Sequence, residues 1–491
     1  MQGRFQGLGP VRWVIAIVAA GIIIFTWQQT LYAGRGLVSR DLTGESGTPL
    51  RFFAPEGADG IPGVIVAHGF AGSRQLMYGF GNALARAGYG VMLLDFDGHG
   101  AARGRLDPGG SALQRNLDTA YQALIAQPDI DPARIALLGH SMGSGAVMTA
   151  AIDSVDHYQA TVAVSPTSAA VSAESPRNLL LMAGSLEPQF LANAWELLAA
   201  AGGSNDDLAG GRGRAMVEVP GVEHITILFS RAAHQAALDW LDRTFDRPTS
   251  VATSDRRLLL LAAHLGGWLA LLLALAPVLP SGPDYAPMRR GKRSWAGLLL
   301  GVVAAAGVFY LAGFVTDAGR LGGLLVGGAL GLWFLVLGLV WLAVGFRPPG
   351  LSGRDFLWGV LLFLFLTAAF GLMSHFTWLP WLLTPERLAR WPVLAAAILP
   401  WQLASALAQY RASPWQRAGW WLLQSVAVVA GLGLTLVLSP GLFFIVLLLP
   451  IFPIILGVLT VAGAAIDRPW AVAAGSAFFF GWLLVAVFPM A

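Results

Sequence analysis

Residues 134–147, Arg-Ile-Ala-Leu-Leu-Gly-His-Ser-Met-Gly-Ser-Gly-Ala-Val, decide the fold that this sequence predicts. The apolar run Arg134–Gly139 predicts a buried strand, and small residues after Gly143 predict the start of a helix. The pattern G-x-S-x-G between a strand and a helix is typical of a strained turn that lifts a serine hydroxyl above the sheet edge. We therefore predict that Ser141 is a nucleophile. The alternative is an ordinary strand–helix turn without catalysis.

Apolar and amphipathic stretches alternate through residues 33–255, which predicts a mostly parallel sheet with crossover helices. The predicted strands are Gly63–His68, Gly90–Asp95, Arg134–Gly139, Ala160–Ser165, Asn178–Ala183 and Ala215–Val219. The predicted helices are Gln75–Ala87, Ala112–Gln127, Met142–Ser154, Pro188–Ala201 and Ile227–Phe245.

A serine nucleophile needs a base, and the chain has 8 histidines from which to choose. Two of them, His264 and His375, fall in predicted membrane spans. Five more belong to strand-end turns, to the Ser141 turn itself or to helices: His68, His99, His140, His157 and His234. The eighth, His224, follows the last predicted strand, and its loop should lie at the same sheet edge as Ser141. We predict that His224 is the base. The alternative is an ordinary surface histidine.

The third member of such a site is a carboxylate that orients the imidazole. Glu187 follows the strand Asn178–Ala183, and the chain order Ser141, Glu187, His224 is the order expected for a strand–turn–helix nucleophile. Glu187 is also compatible with a carboxylate that only favours a helix N-terminus. Glu174, after the preceding strand, is the reserve candidate.

Stabilising a tetrahedral oxyanion requires two backbone N–H groups. We predict that one belongs to Met142, directly after the nucleophile. The second is predicted at Phe70, in the glycine-rich loop 67–72 after a strand, where Gly69 permits a close backbone approach.

Four motifs together resemble the α/β-hydrolase superfamily, in the branch of the dienelactone hydrolases and prolyl-oligopeptidase-like enzymes. They are His68-Gly69-Phe70, the turn at residues 95–100, the stretch 129–143 and Gly184-Ser185-Leu186-Glu187-Pro188. The resemblance covers about residues 50–247 and implies a Ser–acid–His hydrolase that works through an acyl-enzyme. Two departures are Glu in place of the commoner Asp, and a short segment after residue 165 that leaves no room for a lid. Either the site is open or the membrane half covers it.

The composition of the whole chain indicates a membrane protein. Charged residues make up 12%, against roughly 25% in soluble proteins, hydrophobic residues make up 56% and the mean hydropathy is +0.63. Residues 1–255 carry 17 Lys+Arg and 23 Asp+Glu, a net −6, and residues 256–491 carry 14 and 5, a net +9. Because the basic excess lies in the apolar half, we expect no nucleic-acid partner. The absence of cysteine excludes disulfides and cysteine nucleophiles.

Apolar runs predict about nine transmembrane helices in total, so that an all-α polytopic domain accompanies the α/β domain. The first run, Val14–Tyr32, predicts an uncleaved anchor, with a cleaved signal peptide as the alternative. The others are 257–279, 295–316, 321–346, 355–377, 391–410, 416–438, 441–465 and 469–490. We predict three regions: a cytoplasmic tail and anchor at 1–32, a hydrolase domain at 33–250 and a membrane domain at 251–491. The membrane domain resembles no family that we recognise.

The distribution of Lys and Arg in short loops predicts the orientation. With a cytoplasmic N-terminus, 11 of these residues lie inside and 5 outside. The inside set is Arg4, Arg12, Arg289, Arg290, Lys292, Arg293, Arg347, Arg354, Arg411, Arg417 and Arg468. The outside set is Arg256, Arg257, Arg320, Arg387 and Arg390. The chain is therefore predicted to be integral to the cell (inner) membrane, with its hydrolase domain extracytoplasmic.

These patterns predict a membrane-anchored serine esterase, lipase or thioesterase that acts on a lipidic or acylated small molecule presented by the bilayer. His375 and Arg387 are candidate substrate contacts at a polar membrane rim, although interfacial anchoring is the simpler interpretation. Two alternatives are a prolyl-oligopeptidase-like peptidase and a transporter or scaffold whose hydrolase fold only binds a ligand. Neither a cofactor nor a metal is expected, since no matching motif occurs. The sequence does not determine an oligomeric state.

The orientation is testable with a reporter that is active only outside the cytoplasm. Fused near Gly60 of the intact chain, the reporter should be active, because positive charge places residues 33–255 outside. A silent reporter at Gly60, together with an active one fused after Arg347, would contradict the assignment.

Overall fold

A computed structural model describes residues 9–107, 109–279, 282, 291–314 and 317–491. The chain folds as two compact units. The helical unit contains the described residues of Met1–Trp27, Ala262–Met373 and Pro385–Ala491, and the sheet unit contains those of Gln28–Leu261 and Ser374–Thr384. Arg4, Arg289, Arg290 and the end of the predicted span 295–316 lie outside the described residues.

The sheet has eight strands in the order β1-β2-β4-β3-β5-β6-β7-β8. They are β1 (Leu37–Thr43), β2 (Pro49–Pro55), β3 (Ile61–Ala67), β4 (Gly90–Leu94), β5 (Ile130–His140), β6 (Ala160–Val164), β7 (Leu179–Gly184) and β8 (Arg214–Val219). Strand β2 pairs antiparallel with both β1 and β4, and every other pairing in the sheet is parallel.

The helices include five that pack on this sheet and a larger set that is almost wholly apolar. In chain order they are α1 (Pro10–Tyr32), α2 (Tyr78–Arg86), α3 (Ser111–Ile125), α4 (Met142–Asp153), α5 (Pro188–Ala200), α6 (Arg231–Thr244), α7 (Arg257–Leu275), α8 (Arg293–Ala312), α9 (Gly327–Gly345), α10 (Gly353–Leu366), α11 (Leu372–Thr377), α12 (Pro385–Leu388), α13 (Trp391–Gln409), α14 (Pro414–Leu438), α15 (Ile451–Ile466) and α16 (Pro469–Val487).

Helices cover both faces of the sheet, which explains the apolar sequences of its inner strands. Every residue of β4, β6 and β7 is buried, as expected for parallel strands between two helical layers. Val64 and Val66 of β3 face the layer of α2 and α6, whereas Ile65 faces the layer that contains α3 and α4. Helix α5 packs over the β7 end of that second layer.

This topology confirms the predicted fold class, an α/β-hydrolase fold accompanied by a helical region. The six predicted strands and five predicted helices are present, with ends that differ by a few residues. Strands β1 and β2, the antiparallel pair at one end of the sheet, were not predicted. Strand β1 alternates between half-buried and exposed residues, and polar edge strands lack the continuous apolar signal of the inner ones.

Eight helical spans within the described residues are long and apolar enough to cross a membrane. They are Pro10–Tyr32, Arg257–Val278, Arg293–Ala312, Gly327–Gly345, Gly353–Thr377, Pro385–Gln409, Pro414–Leu438 and Pro469–Val487. The predicted span 441–465 differs, because it consists of a 3₁₀ helix at Pro440–Leu448 followed by the shorter α15. Pro450 lies at this break, where its missing N–H interrupts helical hydrogen bonding.

A short segment from the apolar half of the chain belongs to the sheet unit. We call this segment, Ser374–Thr384, the strap. The hydroxyl of buried Ser73 donates to the Trp378 carbonyl at 3.1 Å, and the half-buried Trp378 side chain packs on the core beneath α2 and α6. The strap therefore adds a tryptophan to the hydrophobic residues that pack against this core.

Arg257 ties the strap to the same region through its guanidinium group. Its Nη1 donates to the carbonyls of Gln75 and Thr377, at 2.9 and 2.5 Å. Its Nε and Nη2 donate to the Asp255 carboxylate at 2.9 and 2.7 Å. Because the cation is paired and its donors are used, the side chain joins three backbone segments without an uncompensated charge.

The packing of the strap gives a testable stability difference. Trp378→Ala should lower the free energy of unfolding of the sheet unit by about 2 kcal/mol, since a fully buried Trp→Ala change costs about 3–5 kcal/mol and Trp378 is half-buried. The measurement is the temperature at which protease begins to cut the sheet unit of the purified full-length protein. Trp195→Ala, at a side chain that is 52% exposed, is the matched control. Equal temperatures for both variants would contradict the role of the strap.

Candidate active site

The turn between β5 and α4 holds Ser141 in a strained conformation. The backbone of Ser141 has φ +52° and ψ −120°. Residues other than glycine rarely adopt this conformation. Its N–H donates to the Val164 carbonyl at 2.9 Å, and its own carbonyl accepts from the N–H of Ser144 at 2.8 Å. These bonds fix both ends of the turn, so that Ser141 stands at the carboxyl edge of the sheet.

Two glycines of the region are required by close backbone contacts. A Cβ atom on Gly139 would lie 2.2 Å from the Gly143 carbonyl oxygen, so that no side chain fits between the two arms of the turn. A Cβ atom on Gly69 would lie 3.0 Å from the Cβ of Ser141 and 3.2 Å from the His140 carbonyl oxygen. The loop after β3 therefore lies directly against the Ser141 turn.

Ser141, His224 and Glu187 form one chain of hydrogen bonds. The Ser141 Oγ and His224 Nε2 atoms are 3.0 Å apart, and His224 Nδ1 is 2.8 Å from Glu187 Oε2. All three residues are buried, with 8%, 5% and 6% of their surfaces exposed. With Nδ1–H donating to the carboxylate, Nε2 is free to accept the serine proton, which is the tautomer that a base for Ser141 requires.

The Glu187 carboxylate is positioned by two further donors. Its Oε1 accepts from the Gly184 N–H at 2.6 Å and from the Ser165 hydroxyl at 2.7 Å. Glu187 precedes α5, but its side chain accepts no hydrogen bond from that helix, so it is not an ordinary helix cap. The reserve candidate Glu174 is exposed. The structure therefore brings Glu187, rather than Glu174, to His224.

The His224 ring and its loop are held from two sides. Phe190 of α5 stacks on the imidazole, with ring centroids 4.2 Å apart and an interplanar angle of 26°. His140 Nε2 donates to the His224 carbonyl at 2.9 Å. Stacking limits rotation of the ring, and the hydrogen bond fixes the backbone that carries it.

His140 and His68 are buried neighbours of the site, and burial lowers the pKa of both imidazoles. For His140 the pKa falls well below its usual value, since burial and then the nearby His224 disfavour a second positive charge. For His68 burial outweighs the opposing effect of Asp95. Both rings are therefore neutral near pH 7, and each can act as a donor at one nitrogen and an acceptor at the other.

The two predicted oxyanion residues come from two different segments that meet at Ser141. Met142 is the first residue of α4, and Phe70 lies in the loop after β3. His68 Nδ1 donates to the Gly69 carbonyl at 2.8 Å, and its Nε2 accepts from the Phe96 N–H at 3.1 Å. This buried imidazole holds the loop in one conformation, as preorganised N–H donors require.

The two predicted rim residues lie in different units. His375 is in the strap, where its Nδ1 accepts from the Trp381 N–H at 3.2 Å. Arg387 is in the helical unit, only 1% exposed, and donates to the carbonyls of Val485 and Phe488. Substrate contacts by either residue stay a prediction. Within the described parts of the chain, no group of three or more His, Asp or Glu side chains could hold a metal ion.

Three residues that support the site were not identified from sequence. Ser165 ends a buried strand, Phe190 resembles any apolar helix residue, and His140 was set aside because it lies inside the serine motif. Their roles depend on contacts across 22, 34 and 84 residues of chain. One signal for Ser165 was available in the sequence. Ser165 directly follows β6, and Glu187 lies in the turn after the neighbouring strand β7. Polar residues that follow adjacent parallel strands lie close together.

Comparisons with known proteins locate the similarity in the sheet unit. Residues 62–205 match the family model described as "Serine aminopeptidase, S33". That segment contains Ser141 and Glu187, while His224 follows it. An uncharacterized protein of Mycobacterium tuberculosis is 32% identical over 161 residues, which are 29% of this chain and 56% of that protein. An uncharacterized 31.7 kDa protein of Escherichia coli is 37% identical over 110 residues, covering 21% of this chain and 37% of its own. The chain thus spans little more than half of the first relative.

The comparison with solved structures found matches of low sequence identity and low TM-score. An esterase of Pyrobaculum calidifontis is 14% identical, covers 49% of this chain and 99% of its own, and has a TM-score of 0.34. A dienelactone hydrolase of Anabaena variabilis is 21% identical, covers 42% of this chain and 97% of its own, and has a TM-score of 0.31.

If the hydrogen-bond chain activates Ser141, the reactivity of Ser141 should depend on Glu187. Glu187→Gln places an amide opposite His224 Nδ1 and favours the wrong imidazole tautomer, so the rate at which a fluorophosphonate labels Ser141 should fall by about 10³–10⁴. The rate is measured on the purified full-length protein, with labelled peptide identified by mass spectrometry. Glu174→Gln is the matched control and should label at the wild-type rate. A slow Glu174→Gln variant with a fast Glu187→Gln variant would assign the carboxylate to Glu174 instead.

Proposed function

This chain carries an α/β-hydrolase domain, and we propose that it is a membrane-anchored serine hydrolase that cleaves an ester or thioester of a lipidic or membrane-presented substrate. The observation that carries the proposal is the buried chain of hydrogen bonds from Ser141 through His224 to Glu187, 3.0 and 2.8 Å long. A serine activated by a neighbouring imidazole is suited to nucleophilic attack on an acyl carbon.

In the proposed acylation step, Ser141 Oγ attacks the carbonyl carbon while His224 Nε2 takes its proton. The carbonyl oxygen becomes an oxyanion that accepts hydrogen bonds from the N–H groups of Phe70 and Met142. The tetrahedral intermediate then collapses as His224 returns the proton to the leaving alcohol or thiol. The Ser141 ester of the substrate's acyl group remains.

Deacylation repeats these steps with water as the nucleophile. His224 takes a proton from water, the hydroxyl adds to the acyl carbon, and collapse releases the acid and restores the Ser141 hydroxyl. Glu187 keeps its charge throughout and stabilises the imidazolium that forms in each step. The donors from Gly184 and Ser165 hold the Glu187 carboxylate in place through Oε1, which leaves Oε2 for His224.

Membrane attachment supports a lipidic or acylated substrate. The sheet unit is continuous in sequence with four candidate spans: Pro10–Tyr32, Arg257–Val278, Gly353–Thr377 and Pro385–Gln409. These connections keep residues 33–250 near the bilayer, where amphiphiles concentrate. The excess of Lys and Arg in the other loops supports an extracytoplasmic position of this domain at the cell (inner) membrane.

A second candidate is a serine peptidase, which the description of the matching family model favours. Attack on an amide uses the same serine, base and oxyanion donors, with His224 protonating a leaving amine. The two candidates differ in the leaving group, so that turnover of matched ester and amide substrates separates them.

The ester proposal predicts the activity of the purified full-length protein in detergent micelles. It should hydrolyse chromogenic acyl esters but not anilides of the same acyl group. Turnover should rise when the acyl chain is long enough to enter the micelle. Ser141→Ala should lower the ester turnover by at least about 10³, since the nucleophile is lost.

Ser144→Ala is the matched control, because Ser144 lies on the first turn of α4 but its hydroxyl bonds to the Ser141 carbonyl instead of His224. It should keep most of the turnover. Hydrolysis of anilides without esters would favour the peptidase candidate. Turnover that survives in Ser141→Ala would contradict both candidates.

A further inference from the structure

A cavity of about 280 Å³ lies in the sheet unit at the end of one candidate span and the start of another. Gln29 and Tyr32 of the last turns of α1 line it, together with Arg256 and Arg257 at the start of α7. Helix α2 contributes Asn82 and Arg86, and α6 contributes His234. If both candidate spans cross a bilayer, their ends place this cavity at the level of the lipid headgroups.

The cavity carries an excess of positive charge. Of its three arginines, Arg257 is paired with Asp255 at 2.7 Å. Arg86 donates to the Ala33 carbonyl at 2.6 Å, a neutral acceptor that leaves its charge uncompensated. The exposed Arg256 side chain makes no ion pair or hydrogen bond within the described parts of the chain, although its backbone carbonyl accepts from the Leu260 N–H at 2.9 Å. Two guanidinium groups therefore face the cavity without a carboxylate partner, which favours a phosphate group.

A buried acceptor lies in the same cavity. His234 is 1% exposed, and its Nε2 donates to the Leu228 carbonyl at 3.0 Å. Burial lowers the pKa of His234 to about 4, so the ring is neutral and its Nδ1 is an acceptor. This atom has no hydrogen-bond partner within the described residues. An unpaired buried acceptor is unfavourable, and a ligand hydroxyl would supply the missing donor.

The remaining lining residues of the cavity are apolar or neutral and polar, which fits the glycerol and acyl parts of a lipid. Leu260, on the first turn of α7, and the Tyr32 ring provide apolar surface where acyl chains enter the bilayer. Asn82, Thr253 and Ser254 add neutral polar groups beside the arginines. The lining of the cavity thus combines a buried acceptor, two cations and the apolar surface of Leu260 and Tyr32.

We propose that this cavity binds the headgroup of an anionic phospholipid, with the phosphodiester between Arg86 and Arg256 and a headgroup hydroxyl at His234 Nδ1. A glycerol headgroup has both features. The site is separate from Ser141 in its residues and serves to hold a lipid at the junction of α1, α7 and the sheet unit. Free phosphate esters share the phosphate chemistry but lack the acyl chains that the apolar exit accepts.

Native mass spectrometry of the full-length protein in neutral detergent tests the binding. With equimolar phosphatidylglycerol and phosphatidylcholine, the protein should retain phosphatidylglycerol preferentially. Arg86→Gln/Arg256→Gln should weaken that retention by about tenfold or more for each arginine, since a hydrogen bond to a charged group is lost. Arg103→Gln/Arg105→Gln removes the same charge from two exposed arginines outside the cavity and should change nothing.

The single variant Arg256→Gln separates loss of binding from loss of folding. The Arg256 side chain is exposed, so its replacement should leave the fold of the sheet unit unchanged. It should still weaken retention by about tenfold. Retention of phosphatidylglycerol at the wild-type level in Arg256→Gln, or equal loss in the Arg103→Gln/Arg105→Gln control, would overturn the proposal. Millimolar glycerol 1-phosphate should not displace the lipid, and displacement would instead indicate a site for free phosphate esters.

The hydroxyl contact has its own comparison. Phosphatidylethanol has the charge of phosphatidylglycerol but no headgroup hydroxyl, so the wild-type protein should bind it about tenfold more weakly. His234→Phe keeps a ring of similar size and should bind the two lipids equally. A preference for phosphatidylglycerol that persists in His234→Phe would remove the hydroxyl contact from the proposal. These readouts measure binding and are independent of hydrolysis.

Discussion

The strained turn at Ser141 is the constraint on which the rest of the site depends. Its φ of +52° costs about 1–3 kcal/mol for a residue with a side chain. The turn persists because β5 is paired on both sides, by β3 and β6, and because α4 packs back on the sheet. Only at such a turn does a serine hydroxyl project from the sheet edge toward the loops that follow β7 and β8. Glu187 and His224 can meet Ser141 because those loops leave the sheet at that same edge.

The surroundings of the turn make the arrangement rigid without adding charge. Two buried imidazoles, His68 and His140, are kept neutral by burial, which lowers the pKa of each. One holds the loop after β3 and the other holds the backbone of His224. Glu187 is left as the charged partner of His224, with both carboxylate oxygens bonded. Among the groups hydrogen-bonded to the His224 ring, the Glu187 carboxylate is therefore the one that can stabilise the imidazolium formed during catalysis.

Much of the fold was predictable from sequence because its signals are local. The apolar inner strands, the glycines around Ser141 and the position of His224 between the last strand and helix each follow from short stretches of residues. Strands β1 and β2 were missed: the polar edge strand β1 resembles a loop, and β2 is short and begins and ends with proline. Ser165 and Phe190 were missed for a different reason: each acts on a residue that is distant in sequence, and one sequence holds no record of such contacts. The break at Pro450 also shortened a span that hydropathy alone extends.

The strap gives a physical reason for the apolar half of the chain. Residues 33–255 hold the hydrogen-bonded site, but Trp378 also packs against the core beneath α2 and α6. The strap joins the candidate spans Gly353–Thr377 and Pro385–Gln409 in sequence, so a segment of the apolar half of the chain belongs to the sheet unit. Ser73, which bonds to the strap, lies three residues after Phe70, directly after the loop 67–72. The end of that loop is thereby hydrogen-bonded to a segment that joins two candidate spans.

The central claim is that Ser141 is a nucleophile whose product is stabilised by the N–H groups of Phe70 and Met142. An experimental structure of the full-length protein after reaction with an alkyl phosphonate tests this claim most directly. We expect a covalent bond from Ser141 Oγ to phosphorus. One phosphonyl oxygen should lie about 3 Å from both N–H groups. His224 Nε2 should lie beside the remaining ester oxygen. Phosphorus attached to another residue, or a phosphonyl oxygen directed away from Phe70 and Met142, would contradict it.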